Sequence, residues 1–342
     1  MSESNKRNFI VHGSILAIAG ILVRIIGMLY RIPVVNIIGS EGNGIYGAAF
    51  NIYNIMLVLS SYGLPMAVSK LVSARFTKKR YKSAAKVLRC SLMVAVCTGG
   101  IAALLVFFGA AFIENVIYGG GLPGLAVPLR ILAPTIFLVA ILGVIRGFFQ
   151  GQSTMIPTAV SQILEQIVNA IVSIAAGYGM MKAFASSPDV AAYGAAGSTL
   201  GTAMGALTAV LFMGFLYAVY TPTFNRLKRK DRHTENQSTG QICKIIIYTM
   251  IPIILGQTFY QISALIDDVM FSNIMVGRDI TKSISMDLGN FSSSYSLLIG
   301  IPQGVASAMS ASMLPSVVAS FTDRDYDSIY CLLYTSDAAD EG

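Results

Sequence analysis

Long apolar stretches alternate with short polar breaks along this chain, and only two of the internal breaks are strongly basic. A helix needs about 20 apolar residues to cross the hydrocarbon core of a bilayer. The pattern predicts eight such spans, at about 9–38, 45–72, 87–112, 125–150, 157–182, 191–220, 242–275 and 287–318. The ten-residue alternation of a membrane barrel is absent. The expected fold class is therefore an all-α polytopic membrane protein with about eight complete transmembrane helices.

The basic breaks order those spans. Arg75, Lys78, Lys79, Arg80, Lys82, Lys86 and Arg89 follow span two, and Arg226, Lys228, Arg229, Lys230 and Arg232 follow span six. Lys6 and Arg7 precede span one, and all three groups fall on one side if the N-terminus is cytoplasmic. The start of the chain imitates a secretion signal, but its apolar run continues past Ala17-Ile18-Ala19 and predicts an uncleaved first span.

Residues 222–241 form the one long polar linker. It divides the chain into a six-helix lobe over 1–221, a basic cytoplasmic linker, and the first two helices of a second lobe over 242–328. Phe76-Thr77-x-Lys79-x-Tyr81-x-Ser83 returns as Phe321-Thr322-x-Arg324-x-Tyr326-x-Ser328, six spans later. Parallel repeats of this kind place a substrate path between two halves. Residues 329–342 cannot form a span and are expected to be a truncated or non-native tail. Gly197, Gly201 and Gly205, four residues apart in span six, predict a close helix–helix contact.

Composition narrows the function. Asp, Glu, Lys and Arg make up 12% of the chain, about half the share in a soluble domain. The net charge of +7 sits mostly in loops, where it sets topology and does not suggest nucleic acid. There is no Trp, so the interfacial aromatic role falls to Tyr. Cys90, Cys97, Cys243 and Cys331 lack metal spacing, and only His12 and His233 are present. No phosphate loop, nucleophilic triad or cofactor motif appears, so neither an enzyme nor a cofactor is expected.

Ionisable residues at membrane depth are the candidates for function. Arg24 and Arg31 lie in LVRIIGMLYRIP, seven residues apart, and so share one helix face about 10 Å apart along the axis. Gln162, Glu165, Gln166 and Asn169 form a polar stripe on span five. Glu165 is expected to partner an arginine. Gln261, Asp267 and Asp268 make span seven polar, and adjacent aspartates point about 100° apart, so one at most shares the cavity with Glu165. Arg146 and Lys70 lie close enough to span ends to snorkel to the surface.

Three blocks carry a family resemblance. LVRIIGMLYRIPVVNIIGSEGNGIYGAAFNIYN resembles the opening of the multidrug/oligosaccharidyl-lipid/polysaccharide (MOP) exporter superfamily. RGFFQGQSTMIPTAVSQILEQIVNAIV is similar to SpoVB- and YtgP-type polysaccharide biosynthesis proteins. QISALIDDVMFSN, followed by Pro302-Gln303-Gly304-Val305 and Leu314-Pro315-Ser316, is similar to MurJ-type lipid II flippases.

The resemblance implies a flippase that carries a polyprenyl-pyrophosphate-linked cell-wall or polysaccharide precursor across the cytoplasmic membrane by alternating access. Its partners would be that lipid-linked glycan, membrane lipids and an unassigned coupling ion. Arg24 falls on the family's first-span arginine and Arg31 on or near a charged position, which implies pyrophosphate contacts. Glu165 or Asp267 would then neutralise the empty cavity. The second-span arginines of MurJ-type proteins are replaced by Leu57, Val58 and their neighbours, a departure that bears on the substrate. A cation-coupled multidrug exporter and a membrane-embedded glycan-assembly enzyme stand as alternatives.

Overall fold

The chain was studied as a computed structural model, which describes residues 3–232, 238–278, 284–291 and 330, with side chains from Ile18 onward. The described residues are helical almost throughout, in the order α1 (Glu3–Ser60), α2 (Leu64–Thr77), α3 (Tyr81–Phe112), a π-turn (Ile113–Ile117), α4 (Ala126–Gln150), α5 (Ile156–Ala183), α6 (Val190–Lys230) and α7 (Thr239–Gly277). Six stretches among them are long and apolar enough to cross a membrane. The first, from Ile18 to Thr77, holds two of the predicted spans.

Those two spans are separated at Gly39, whose φ of 69° and ψ of 177° lie outside the helical region. Only glycine adopts such a conformation at no steric cost. The guanidinium of Arg31 lies 5.5 Å from the centroid of the Tyr46 ring. Residues eight before and seven after the glycine therefore face each other, so the chain folds back there. The second predicted span is itself interrupted. Helix α1 ends at Ser60, three residues turn, and α2 restarts with Pro65 in its first turn, where a missing N–H costs nothing.

At one end of the lobe, the end of α2, the start of α3 and the ends of α4 and α6 share an aromatic cluster. Phe76 stacks on Phe224 at 6.1 Å, and Phe148 meets Phe76, Tyr217 and Phe224 edge-on. The buried Asp231 carboxylate accepts a hydrogen bond from the Lys82 amide at 2.9 Å, in the first turn of α3. A carboxylate there satisfies an orphan donor and complements the helix dipole. Both basic breaks thus lie at one end of the bundle.

The opposite end holds Gly39, the π-turn and the α5–α6 connection. There Glu114 accepts from the amides of Gly124 (3.0 Å) and Ala126 (2.7 Å), capping α4. Ser272 and Asn273 of α7 donate to the carbonyls of Tyr118 and Ile117, each at 2.8 Å.

Helix α6 runs through Pro222 to Lys230, and α7 begins at Thr239 behind a Ser238/Gln241 capping box. The first nine residues of the expected 222–241 linker are therefore helical. Aromatic packing of Tyr220 and Phe224 on Phe148 and Phe149 holds that extension against the bundle. Most of the expected eighth span, the second repeat segment 321–328 and all of the expected tail except Tyr330 lie outside the described residues.

Candidate functional site

The polar stripe of α5 lies between the first half of α1 and α6. Small residues make this possible. A methyl group on Gly205 would sit 2.6 Å from the Glu165 carbonyl, and one on Gly201 would collide with Ser173. Ser173 donates to the Ser198 carbonyl at 2.8 Å and also bonds Asn169. The glycine stripe therefore seats α5 tightly on α6, as its spacing predicts.

Helix α1 approaches the other side of α5 in parallel. Gly27 faces the Gln166 amide, and the Asn169 amide reaches the Tyr30 hydroxyl at 3.4 Å. The same offset in numbering recurs one turn later at each contact, so Arg24 lies level with the turn holding Gln162 and Glu165. Arg31 lies level with Asn169 and the residue after it. Asn169 is 9% exposed, and Gln162, Glu165 and Gln166 are half-buried.

Glu165 has an arginine partner, and it is Arg146. The Arg146 Nη2 donates to Glu165 Oε2 at 2.7 Å, while its Nε donates to the Ser161 hydroxyl at 2.9 Å. The two side chains are 14% and 26% exposed. Arg146 therefore does not snorkel, contrary to its position near a span end. The α4–α5 turn is short, with bonds from Gln152, Ser153 and Thr154 to carbonyls of the last turn of α4. It returns the chain directly over the last turns of α4. Charge pairing across that turn satisfies three of the guanidinium's and carboxylate's hydrogen-bonding groups at once. The turn itself, GQST between two apolar spans, was the available signal for this pair.

The second acid at depth is Asp268. Asn51, on the returning half of α1, donates to Asp268 Oδ2 at 2.6 Å and ties α7 to α1. Asp267 is exposed, and Gln261 is half-buried on the same helix. The two aspartates diverge as helix geometry requires, and Asp268 is the inward member. Asn51 carried no charge to mark it within NIYNIM, and sequence reasoning passed over it.

Arg24 is exposed and has no ion pair or hydrogen bond among the described residues, whereas Arg31 is half-buried over Tyr46. The fold thus sets Arg24 and Arg31 on α1 at the level of the polar stripe of α5. It leaves Asp267, Asp268 and Gln261 on α7, reached through Asn51. Among the described residues no group of three His, Cys, Asp or Glu could hold a metal ion.

This architecture, a helical membrane lobe with charges held at depth, is the fold of MOP superfamily transporters. The inward-facing structure of a multidrug resistance MATE family transporter of that superfamily superposes with a TM-score of 0.63, covering 94% of this chain and 66% of the other at 14% identity. A MOP superfamily transporter from Pyrococcus furiosus superposes with a TM-score of 0.58, over 96% of this chain and 68% of the other, at 17% identity.

The chain belongs to the polysaccharide biosynthesis protein family, whose pattern matches residues 10–321. Among its relatives, the lipid II flippase MurJ of Bacillus subtilis (strain 168) is 28% identical over 319 residues, and stage V sporulation protein B of the same organism is 25% identical over 316. Each alignment covers 91% of this chain, and the chain spans 58% of the length of each relative.

Proposed function

We propose that this protein is a flippase that moves a polyprenyl-pyrophosphate-linked cell-wall or polysaccharide precursor across the cytoplasmic membrane. One observation carries the reading: among the described residues, Glu165 and Asp268 each have a partner, while Arg24 has no ion pair or hydrogen bond. Glu165 is engaged by Arg146 and Asp268 by Asn51, so the free charge at depth on α1 is cationic. A guanidinium is expensive at that depth and forms planar, paired hydrogen bonds with phosphate oxygens. An anionic headgroup would relieve the cost that the empty protein bears.

In this reading Arg24 grips the pyrophosphate and Arg31 is a second contact. Gln162 and Gln166 offer amides to the sugar or phosphate oxygens, while Asn169, buried against Tyr30 and Ser173, positions α5 beneath them. Glu165 is a positioning residue for Arg146. Asp268, held by Asn51 of α1, forms with Asp267 and Gln261 the wall contributed by the second lobe. The concentration of basic residues at one end favours a cytoplasmic N-terminus. Rocking of the two lobes about this site would give alternating access without covalent chemistry. The shared fold keeps a multidrug exporter as the second reading, but an unpaired arginine facing the path would repel a cationic drug.

The test is depletion of the intact protein followed by complementation. The expected result is build-up of one lipid-linked precursor on the inner leaflet, relieved by the wild type and not by Arg24→Ala. Full relief by Arg24→Ala would overturn the reading.

A further inference from the structure

Arg31 and Arg146 are both held at membrane depth, but by different chemistry. Arg146 gives its Nη2 to the Glu165 carboxylate and its Nε to the Ser161 hydroxyl. A carboxylate takes the same N–H donors that a phosphate would take, so Arg146 is occupied. The Arg31 guanidinium lies instead over the Tyr46 ring, 5.5 Å from its centroid. An aromatic face attracts a cation through the ring quadrupole. It does not claim the paired donors of the guanidinium fork, which stay open to oxygens.

The ring is itself fixed. Tyr46, Phe50 and Tyr53 recur at i, i+4 and i+7 on the returning half of α1. Tyr46 meets Phe50 at 4.5 Å between centroids, and Phe50 meets Tyr53 edge-on at 5.5 Å. Tyr46 and Tyr53 are buried in the core that also holds Ile45 and Ala49. Arg31 is half-buried, and its neighbour Tyr30 meets the Asn169 amide of α5 at 3.4 Å. The first half of α1 is thus held by α5 at Tyr30 and by an aromatic column at Arg31. A long side chain loses freedom when it grips a ligand, and a contact that already orders it removes part of that cost.

We infer that Tyr46 is a positioning residue, whose ring keeps Arg31 ordered at depth with its donors open to the phosphate oxygens of an anionic headgroup. The inference takes its ligand from the flippase reading, but it does not depend on the role given to Arg24. The two arginines then divide the work by the group that holds them. The one on a carboxylate ties α4 to α5, and the one on a ring binds.

The test is binding of undecaprenyl pyrophosphate to the intact protein in detergent, read as a double-variant cycle. Tyr46→Phe keeps the ring and should bind within about twofold of the wild type, whereas Tyr46→Leu should weaken binding about three- to tenfold. In an Arg31→Ala background, Tyr46→Leu should have no further effect. A loss of the same size in that background overturns the inference, because a ring that acts only through the fold acts without Arg31. Wild-type affinity in Tyr46→Leu overturns it too. Full affinity in Arg24→Ala, with the cycle still coupled, counts against the proposed grip of Arg24 and supports this role for Tyr46. No binding by the wild type removes both.

A second measurement leaves the shape of the core intact. Phenylalanine at position 46, then its difluoro and pentafluoro forms, drain the ring of electron density at nearly constant volume, and affinity should fall in that order. A flat series refutes the role of the ring.

Discussion

Arg146 and Glu165 meet at 2.7 Å across the α4–α5 turn, and Ser161 completes the arginine's anchorage from the first turns of α5. Breaking such a pair from one side leaves a charge without compensation, which costs about 3–5 kcal/mol in buried settings. Partial exposure places this pair at the lower end. Glu165→Gln should lower the unfolding temperature in detergent. The double change Arg146→Met, Glu165→Leu should be less destabilised than Glu165→Gln alone. A double variant worse than either single one would show that the pair stabilises beyond mutual compensation.

Arg24 and Arg31 should separate in function. If the protein is the flippase proposed above, Arg24→Ala should abolish transport while leaving the unfolding temperature unchanged or raised, because it removes a cation without a partner among the described residues. Arg31→Ala removes a contact with the Tyr46 ring, worth about 0.5–2 kcal/mol, and should weaken transport without ending it. Precursor accumulation in depleted cells, read beside a thermal melt of each purified variant, checks both expectations.

The Asn51–Asp268 bond, at 2.6 Å, joins α7 to the returning half of α1. Asn51→Asp would set two carboxylates face to face, and Asn51→Leu would leave Asp268 without its donor, at about 1–3 kcal/mol. Asp268→Asn can keep one hydrogen bond and should be milder than either. Thermal unfolding of the three variants ranks them, and a more severe Asp268→Asn would contradict the contact.

Glycine substitutions on α6 test the close approach of α5. Gly201→Ala puts a methyl group onto Ser173, whereas Gly214→Ala meets open space within 4 Å. Loss of fold or yield in the first and near-wild-type behaviour in the second is the expected contrast. Equal behaviour would mean that the two helices are not held at this distance.

Much of this arrangement was legible in the sequence because the bilayer imposes strict terms. Uncharged runs marked the helices, and glycine spacing on α6 marked the contact with α5. The i, i+3, i+4, i+7 pattern marked the polar stripe that now lies between α1 and α6. What was not legible depended on how turns return the chain. Arg146 read as a snorkelling residue because its distance from the span end was visible and the path of the next helix was not. Asn51 was silent because an amide gains its meaning from the carboxylate opposite, 217 residues away. The break at Ser61–Gly63 was hidden because the flanking residues stay apolar on both sides.

The bond between Asp231 and the Lys82 amide also has a consequence for how the protein is made. The cap on α3 comes from a residue synthesised 149 positions later. At about 5–20 residues per second, α3 waits roughly 7–30 s for it. During that interval its N-terminus must rely on water and lipid headgroups. The bond that caps α3 can therefore form only once the end of α6 has been synthesised.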